Sequence, residues 1–365
     1  LKTHNSKRVK NVIKILNEET KVGHSKFTRG VKHVYLLSGR SVLDIGMDIF
    51  AQYRILDSGE SFGLNFWEFR NRYFYDENSR MPDHIKFPSW KARPGSDAIL
   101  NTIIYKKASR ILKSQCLDLP EVVRKRIEVP MGTEQARIYK EMEKDYVAWI
   151  NLPKEEPRSV IVQQAIVKSL RLQQIVTGFI NTESGEYKIK DNPRLEILRE
   201  LLLEITPNDK VIVWAIFKHN YADIARICRE EKISYVELHG EIPVSERDKG
   251  IEQFQNNPDT RVVIANQRAA GLGVNLVEKK VIGERSSYSI FYSKNFSLED
   301  DEQAESRNHR GGAEIYKSIT RIDLVSPGTV DELINESLAA KQEISDKILT
   351  WGSHISLARK QASNL

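Results

Sequence analysis

From residue 207 onward, apolar runs too short to be helices alternate with segments of helical spacing, and that alternation admits few folds. Residues 210–217 form a continuous apolar strand candidate, 220–231 carry helical periodicity, and 234–238 read as strand. Residues 245–255 are helical again, 261–265 are another strand candidate, and 288–293 a further one. Strands separated by helices of about ten residues imply β-α-β crossovers, hence a parallel sheet covered by helices on both faces. Ligands of such sheets sit at the carboxyl ends of the strands, so the loop after 265 and the segment after 293 are the places to look for chemistry. Residues 329–349 carry apolar positions at Val330, Leu333, Ile334, Leu338, Ile344 and Ile348, the pattern of an amphipathic helix packed back on the core.

The first 150 residues are less regular. Val34-Tyr35-Leu36-Leu37 reads as a buried strand ending in the tight loop Ser38-Gly39-Arg40-Ser41, followed by a helix over 43–56. An aromatic-rich stretch follows, with Phe62, Phe66, Trp67, Phe69, Tyr73, Phe74 and Tyr75. Between 151 and 193 a helical segment at 160–175 is bounded by Pro153, Pro157 and Gly178, which suits an inserted helical subdomain and linker. No internal repeat or low-complexity tract is visible.

Composition bounds the function classes. A chain of 365 residues with 40% hydrophobic and 29% charged residues has the make-up of a globular protein with more than one core. The balance of 56 Lys+Arg against 50 Asp+Glu gives a net +6, compatible with a polyanionic partner without demanding one. Cys116 and Cys228 form no C-x-x-C pair and read as packing residues in a reducing, intracellular setting. The histidines are scattered without ligand spacing, so no metal site is expected. No apolar run is long enough to span a bilayer, and no membrane partner is expected.

Two segments carry the chemistry. The first is Arg268-Ala269-Ala270-Gly271-Leu272-Gly273-Val274-Asn275-Leu276, where glycines let a backbone approach a phosphate chain closely. The second is Gln303-Ala304-Glu305-Ser306-Arg307-Asn308-His309-Arg310-Gly311-Gly312. Gln303, Arg307 and Arg310 fall at i, i+4 and i+7 and share a face if the segment is one continuous helix. The acidic neighbours Glu299, Asp300, Asp301, Glu302 and Glu305 equally suit a solvated charged face. Asn275 reads either as a nucleic-acid contact or as a turn residue.

In this order and spacing the two segments resemble the last two motifs of superfamily 2 helicases, specifically the Swi/Snf-type double-stranded DNA translocases. Further landmarks agree: Ser38-Gly39-Arg40-Ser41 stands where that family has Thr-Gly-Thr-Pro, and Phe66 to Phe74 is similar to its F-x-x-R-Y segment. Cys116-Leu117-Asp118-Leu119-Pro120 resembles its D-L-P, and Leu238-His239-Gly240 with Arg247 its second-domain H-G segment. The chain departs from the pattern where Gly311-Gly312-Ala313 replaces Ile-Gly-Gln, and in an extra stretch over 279–286 holding Lys279, Lys280 and Arg285. That stretch is either a solvated insertion or an added phosphate-binding element.

The resemblance implies an α/β fold: the end of a first RecA-like domain (1–120), a helical insertion and linker (121–193), and a complete second RecA-like domain with a C-terminal helix (194–365). It implies ATP with magnesium as cofactor and double-stranded DNA as partner. Arg307 and Arg310 would act as arginine fingers with Gln303 beside them, and Gly271 and Gly273 would serve the nucleotide side of the loop. Arg268, Ala270, Asn275, Ser38 and Gly39 would contact nucleic acid. No G-x-x-x-x-G-K-[ST] occurs in the 365 residues, and no Asp-Glu-x-His follows an apolar strand. Leu1 to Lys10 resembles the basic segment that follows Asp-Glu-x-His in the family. The expectation is therefore the back portion of a longer motor, with a non-hydrolysing DNA-binding or scaffold module and a strand-separating DNA or RNA helicase as alternatives.

Overall fold

The structure is a computed structural model that describes residues 4–17, 20–22, 25–27, 31, 33–39, 46–80, 88–151, 158–182, 185–268, 274–279 and 285–350. The chain divides into two units, Leu1–Arg110 with Ala339–Leu365, and Ile111–Leu338. Residues 111–120, read from sequence as the end of a first domain, thus go with the second unit.

The first unit holds α1 (Lys7–Asn17), the paired β1 (Thr20–Val22) and β2 (Ser25–Phe27), α2 (Asp48–Asp57), α3 (Phe66–Tyr73), β3 (Phe74–Asp76), β4 (Trp90–Ala92) and α4 (Ser96–Ile104). The aromatic-rich stretch supplies much of its core: Phe62, Phe69, Tyr73 and Phe74 are buried together with Phe50 of α2. Phe62 and Phe69 meet edge to face at 5.2 Å, a geometry worth about 0.5–1.5 kcal/mol beyond the area it buries. Asn65 caps α3 by accepting from the Trp67 amide at 2.9 Å. The strand expected at 34–37 does not form. Among the described residues, 33–38 join no strand ladder, Tyr35 is 83% and Leu37 99% exposed, and of 34–37 only Val34 and Leu36 pack with α1 and α2. Four apolar residues make a strand only where another strand takes their amides and carbonyls. The expected helix starts later than read, at Asp48; residues 41–45 lie outside the described residues.

The second unit runs α5 (Lys113–Cys116), β5 (Val122–Glu128), α6 (Thr133–Asn151), α7 (Arg158–Val176), β6 (Phe179–Thr182), β7 (Gly185–Lys188), α8 (Pro193–Ile205), β8 (Lys210–Trp214), α9 (Lys218–Glu230) and β9 (Tyr235–Leu238). It continues with α10 (Val244–Asn256), β10 (Val262–Ala265), β11 (Ser287–Phe291), α11 (Leu298–Glu305) and β12 (Ile319–Val325), and α12 (Val330–Thr350) starts here and ends in the first unit. Six strands form one parallel sheet in the order β5-β12-β11-β8-β10-β9. Strand side chains alternate faces, and the core divides accordingly. Val211 and Val213 meet Leu198, Leu202, Ile224 and Cys228 on one side, while Ile212 and Trp214 meet Phe254, Leu276 and Ala304 on the other.

The helical reading of 121–193 needs correction at both ends. β5 pairs with β12 from Val122↔Ile319 to Glu128↔Val325, and β6 and β7 make an antiparallel hairpin. α6 and α7 are the helical part. Gly178, at φ +98°, turns the chain from α7 into β6 where a Cβ would collide with the Asn192 amide group. No described helix is long and apolar enough to cross a membrane.

Candidate functional site

α11 begins where Ser297 Oγ accepts from the Asp300 amide at 3.2 Å, with Glu299, Asp300 and Asp301 in the favourable first turn. It stops at Glu305, and Ser306 donates back to the Glu302 carbonyl at 2.8 Å. Only Gln303 of the three expected face-sharing residues is therefore on the helix; Arg307 and Arg310 lie in the turns beyond its end. The turn nonetheless unites them. Arg307 Nη1 donates to the Val274 carbonyl at 2.9 Å, and Arg310 Nη1 donates to the same oxygen at 3.1 Å. The Arg307 carbonyl in turn accepts from the Leu276 amide at 3.1 Å. The two sequence segments are thus one site, hinged on Val274. Gln303 is not drawn in, since its amide donates to Glu299 on its own helix at 3.2 Å.

The location also differs from expectation. Eight residues of α11 carry the chain about 12 Å back along the sheet. Asn308, wholly buried between the arginines, then donates to Ser287, the first residue of β11, at 2.9 Å. His309 Nε2 donates to the Pro120 carbonyl at 3.2 Å, just before β5 begins. The arginine pair therefore lies toward the amino ends of these strands, not the carboxyl ends, because the helix returns antiparallel before the arginines occur.

Electrostatics make this a cation-rich turn. Burial, and then the adjacent Arg310 charge, press the Arg307 guanidinium below its ordinary pKa. Lys113 of α5 reaches the same turn, donating to Ser306 Oγ at 3.0 Å and the His309 carbonyl at 3.1 Å. α11 itself is held by Arg321 of β12, which donates to Asp301 at 2.9 and 3.0 Å and to Glu305 at 2.8 Å, over the Phe291 ring at 3.9 Å. Burial would lower the Arg321 pKa, but Asp323 and Asp301 outweigh it and the guanidinium is held charged. Sequence reasoning missed Lys113, Asn308, the Val274 carbonyl and Arg321. Asn308 was findable from its place between the arginines; the others carry no local signature.

Of the remaining expected site residues, Ala270, Gly271 and Gly273 lie outside the described residues. Arg268 is exposed, its amide donating to Asn266 Oδ1 at 3.0 Å in a side-chain turn. Asn275 shapes the local backbone: Oδ1 accepts from the Val277 amide at 3.1 Å and its carbonyl accepts from Gln255 at 2.7 Å. Ser38 and Gly39 are exposed residues of the first unit. The extra stretch is rooted in the second unit, where Glu278 lies 3.2 Å from Lys210, both side chains 2% exposed, and 3.7 Å from Arg285. Arg285 thus has a carboxylate beside it; residues 280–284 lie outside the described residues. Among the described residues no group of three or more His, Cys, Asp or Glu is arranged to hold a metal ion.

The second unit is thus a six-stranded parallel sheet covered on both faces, with a paired-arginine turn docked on the Val274 carbonyl. Residues 193–312 match the helicase conserved C-terminal domain family. The chain is 26% identical over 216 residues to the ATP-dependent helicase fft2 of Schizosaccharomyces pombe, spanning 56% of this chain and 16% of that protein. It is 28% identical over 177 residues to the human chromatin-remodeling ATPase INO80, spanning 48% of this chain and 11% of that protein. The crystal structure of the C-terminal part of the Fun30 ATPase domain aligns at TM-score 0.48 and 15% identity, covering 63% of this chain and 98% of that one. The chain carries the C-terminal helicase portion of the Swi/Snf type of superfamily 2 and matches only a small part of these relatives' length.

Proposed function

We propose that this chain is the back portion of an ATP-dependent motor that translocates on double-stranded DNA, with Arg307 and Arg310 as its phosphate-facing fingers. One observation carries the reading: two guanidiniums, already converged on the Val274 carbonyl, tie the arginine turn to the glycine-bearing loop. Guanidiniums only donate, stay charged, and grip phosphate oxygens in pairs, so this donor set fits a nucleotide's polyphosphate. When bound, ATP supplies the phosphoryl group whose transfer develops the charge that such fingers stabilise. Within this chain, Val274 holds both arginines in register, Asn308 fixes the turn between them, and Gln303 lies on α11, four positions before Arg307. Magnesium ligands and the phosphate-cradling lysine are not assigned to these residues. Arg268, Ala270, Asn275, Ser38 and Gly39 are proposed on the nucleic-acid side, and Gly271 and Gly273 between the two functions.

The test is DNA-stimulated kcat in the full-length protein at saturating ATP and DNA. Arg310→Ala is expected to lower kcat by roughly 10³ to 10⁵ while ATP and DNA still bind, because a finger acts mainly in the transition state. Arg307→Ala should do the same, whereas Lys280→Ala should leave kcat unchanged. Near-normal turnover by Arg310→Ala would put the finger elsewhere.

A further inference from the structure

We propose that Lys113, 194 positions before Arg307 in the chain, is a positioning residue for the arginine pair; this rests on the finger reading above. Its ammonium donates to Ser306 Oγ, the residue that ends α11, and to the His309 carbonyl, the peptide that leads into Arg310. Fixing that carbonyl fixes the peptide plane joining His309 to Arg310, and so the direction in which the Arg310 side chain leaves the backbone. The same short segment grips the turn a second time, because Pro120 accepts the His309 ring proton at 3.2 Å. Lys113 and Pro120 thus bracket the turn from one side while Val274 and Leu276 hold it from the other.

The placement is electrostatically costly. A lysine among two arginines is repelled: although the residue is exposed, partial desolvation of its ammonium, with Arg310 and Arg307, lowers its pKa while Glu305 and Glu302 of α11 pull it back up. A side chain that served only to cover the surface would not need its charged end there. The cost brings a third cation to the turn, which strengthens the field that an oxyanion meets. Lys113 touches backbone and a hydroxyl, not the fingers' own guanidiniums, so its effect passes through geometry.

The experiment compares full-length Lys113→Ala and Lys113→Arg with Arg310→Ala, reading kcat, KM for ATP, DNA affinity and the pH profile of kcat. Lys113→Ala is expected to lower kcat roughly tenfold to a hundredfold, the loss expected of a displacement of about 1 Å, with KM and DNA affinity within about twofold. Lys113→Arg should recover most of kcat and move the alkaline limb of its pH profile upward, since arginine stays protonated. Two results overturn the proposal: Lys113→Ala near wild type while Arg310→Ala is inactive, or equal losses in Lys113→Ala and Lys113→Arg. Near-normal kcat in Arg310→Ala instead removes the finger reading itself, so the two failures are distinguishable.

Discussion

Two arginines sharing one carbonyl is an arrangement that residue identity half announces. Guanidinium is the natural group for gripping phosphate, and Arg307 and Arg310 were readable on that ground. Their common acceptor, the Val274 oxygen, belongs to the backbone and leaves no mark in a sequence. Lys113 was unreadable for a different reason, since nothing local connects it to a turn 196 positions away at His309. The Lys210 and Glu278 pair is a further hidden feature: Lys210, at the start of the strand expected over 210–217, is buried and also donates to the Asn257 carbonyl at 2.9 Å. Removing one member of such a pair strands the other charge in a poorly solvated place. Glu278→Ala is therefore expected to cost about 3–5 kcal/mol, whereas replacing both residues by apolar ones of similar volume should cost much less. Chemical denaturation reads this directly, and a Glu278→Ala midpoint equal to wild type would remove the pair from the stability account.

Among the elements, those that pack on both faces were the legible ones. β8, β9, β10, α9 and α10 fall within a few residues of their expected positions because long apolar runs and helical spacing mark buried segments. β5 was missed since Val122–Glu128 reads V-V-R-K-R-I-E and sits at the sheet edge, where charged residues protect an exposed strand and erase its apolar pattern. α11 was overextended because Glu302, Gln303 and Glu305 favour helix while the stop is set by tertiary contacts of the turn. The β6–β7 hairpin, also missed, docks on α9 through His219. Its Nδ1 lies 2.6 Å from Glu186 of β7, its Nε2 lies 3.0 Å from Asp223, and its ring stacks on Phe179 at 4.6 Å.

Those carboxylates give the docking a pH dependence. Burial lowers the His219 pKa, but Asp223 and Glu186 outweigh it, and the folded value is raised above 6.5. A raised cationic group stabilises fully below its unfolded pKa and loses that contribution as pH climbs through the folded one. Burial likewise raises Asp223, but His219 and Lys188 bring it down to about 2, so its contribution is present above its ordinary 3.8 and lost as pH falls through about 2. Docking should be strongest between these limits and weaken from about pH 6.5 upward. Amide exchange in 179–188 followed across pH 5 to 9 should therefore accelerate beyond the intrinsic rate in wild type and stay flat in His219→Gln. An identical profile in the two proteins would exclude His219 as the tether.

At the scale of the whole molecule, the parallel sheet and its helices make the second unit a scaffold on which a loop and a turn meet. The first unit's aromatic core was visible as composition, but its strand at 34–37 was not there to be found. With a net charge of +6 and exposed cations such as Arg268, the 365 residues should bind duplex DNA weakly and without sequence preference. That affinity should fall with salt at a logarithmic slope of about −0.9 per phosphate contact. Binding that ignored salt would mean that the basic residues do not face the duplex.

The proposed motor would move along intact duplex, and displacement of a third strand from a DNA triplex by the full-length protein reads that movement. The wild type should release the third strand only with hydrolysable ATP and leave the underlying duplex paired, and Arg310→Ala should release none. Separation of the duplex strands, or ATP-independent release, or release undiminished in Arg310→Ala, would contradict it.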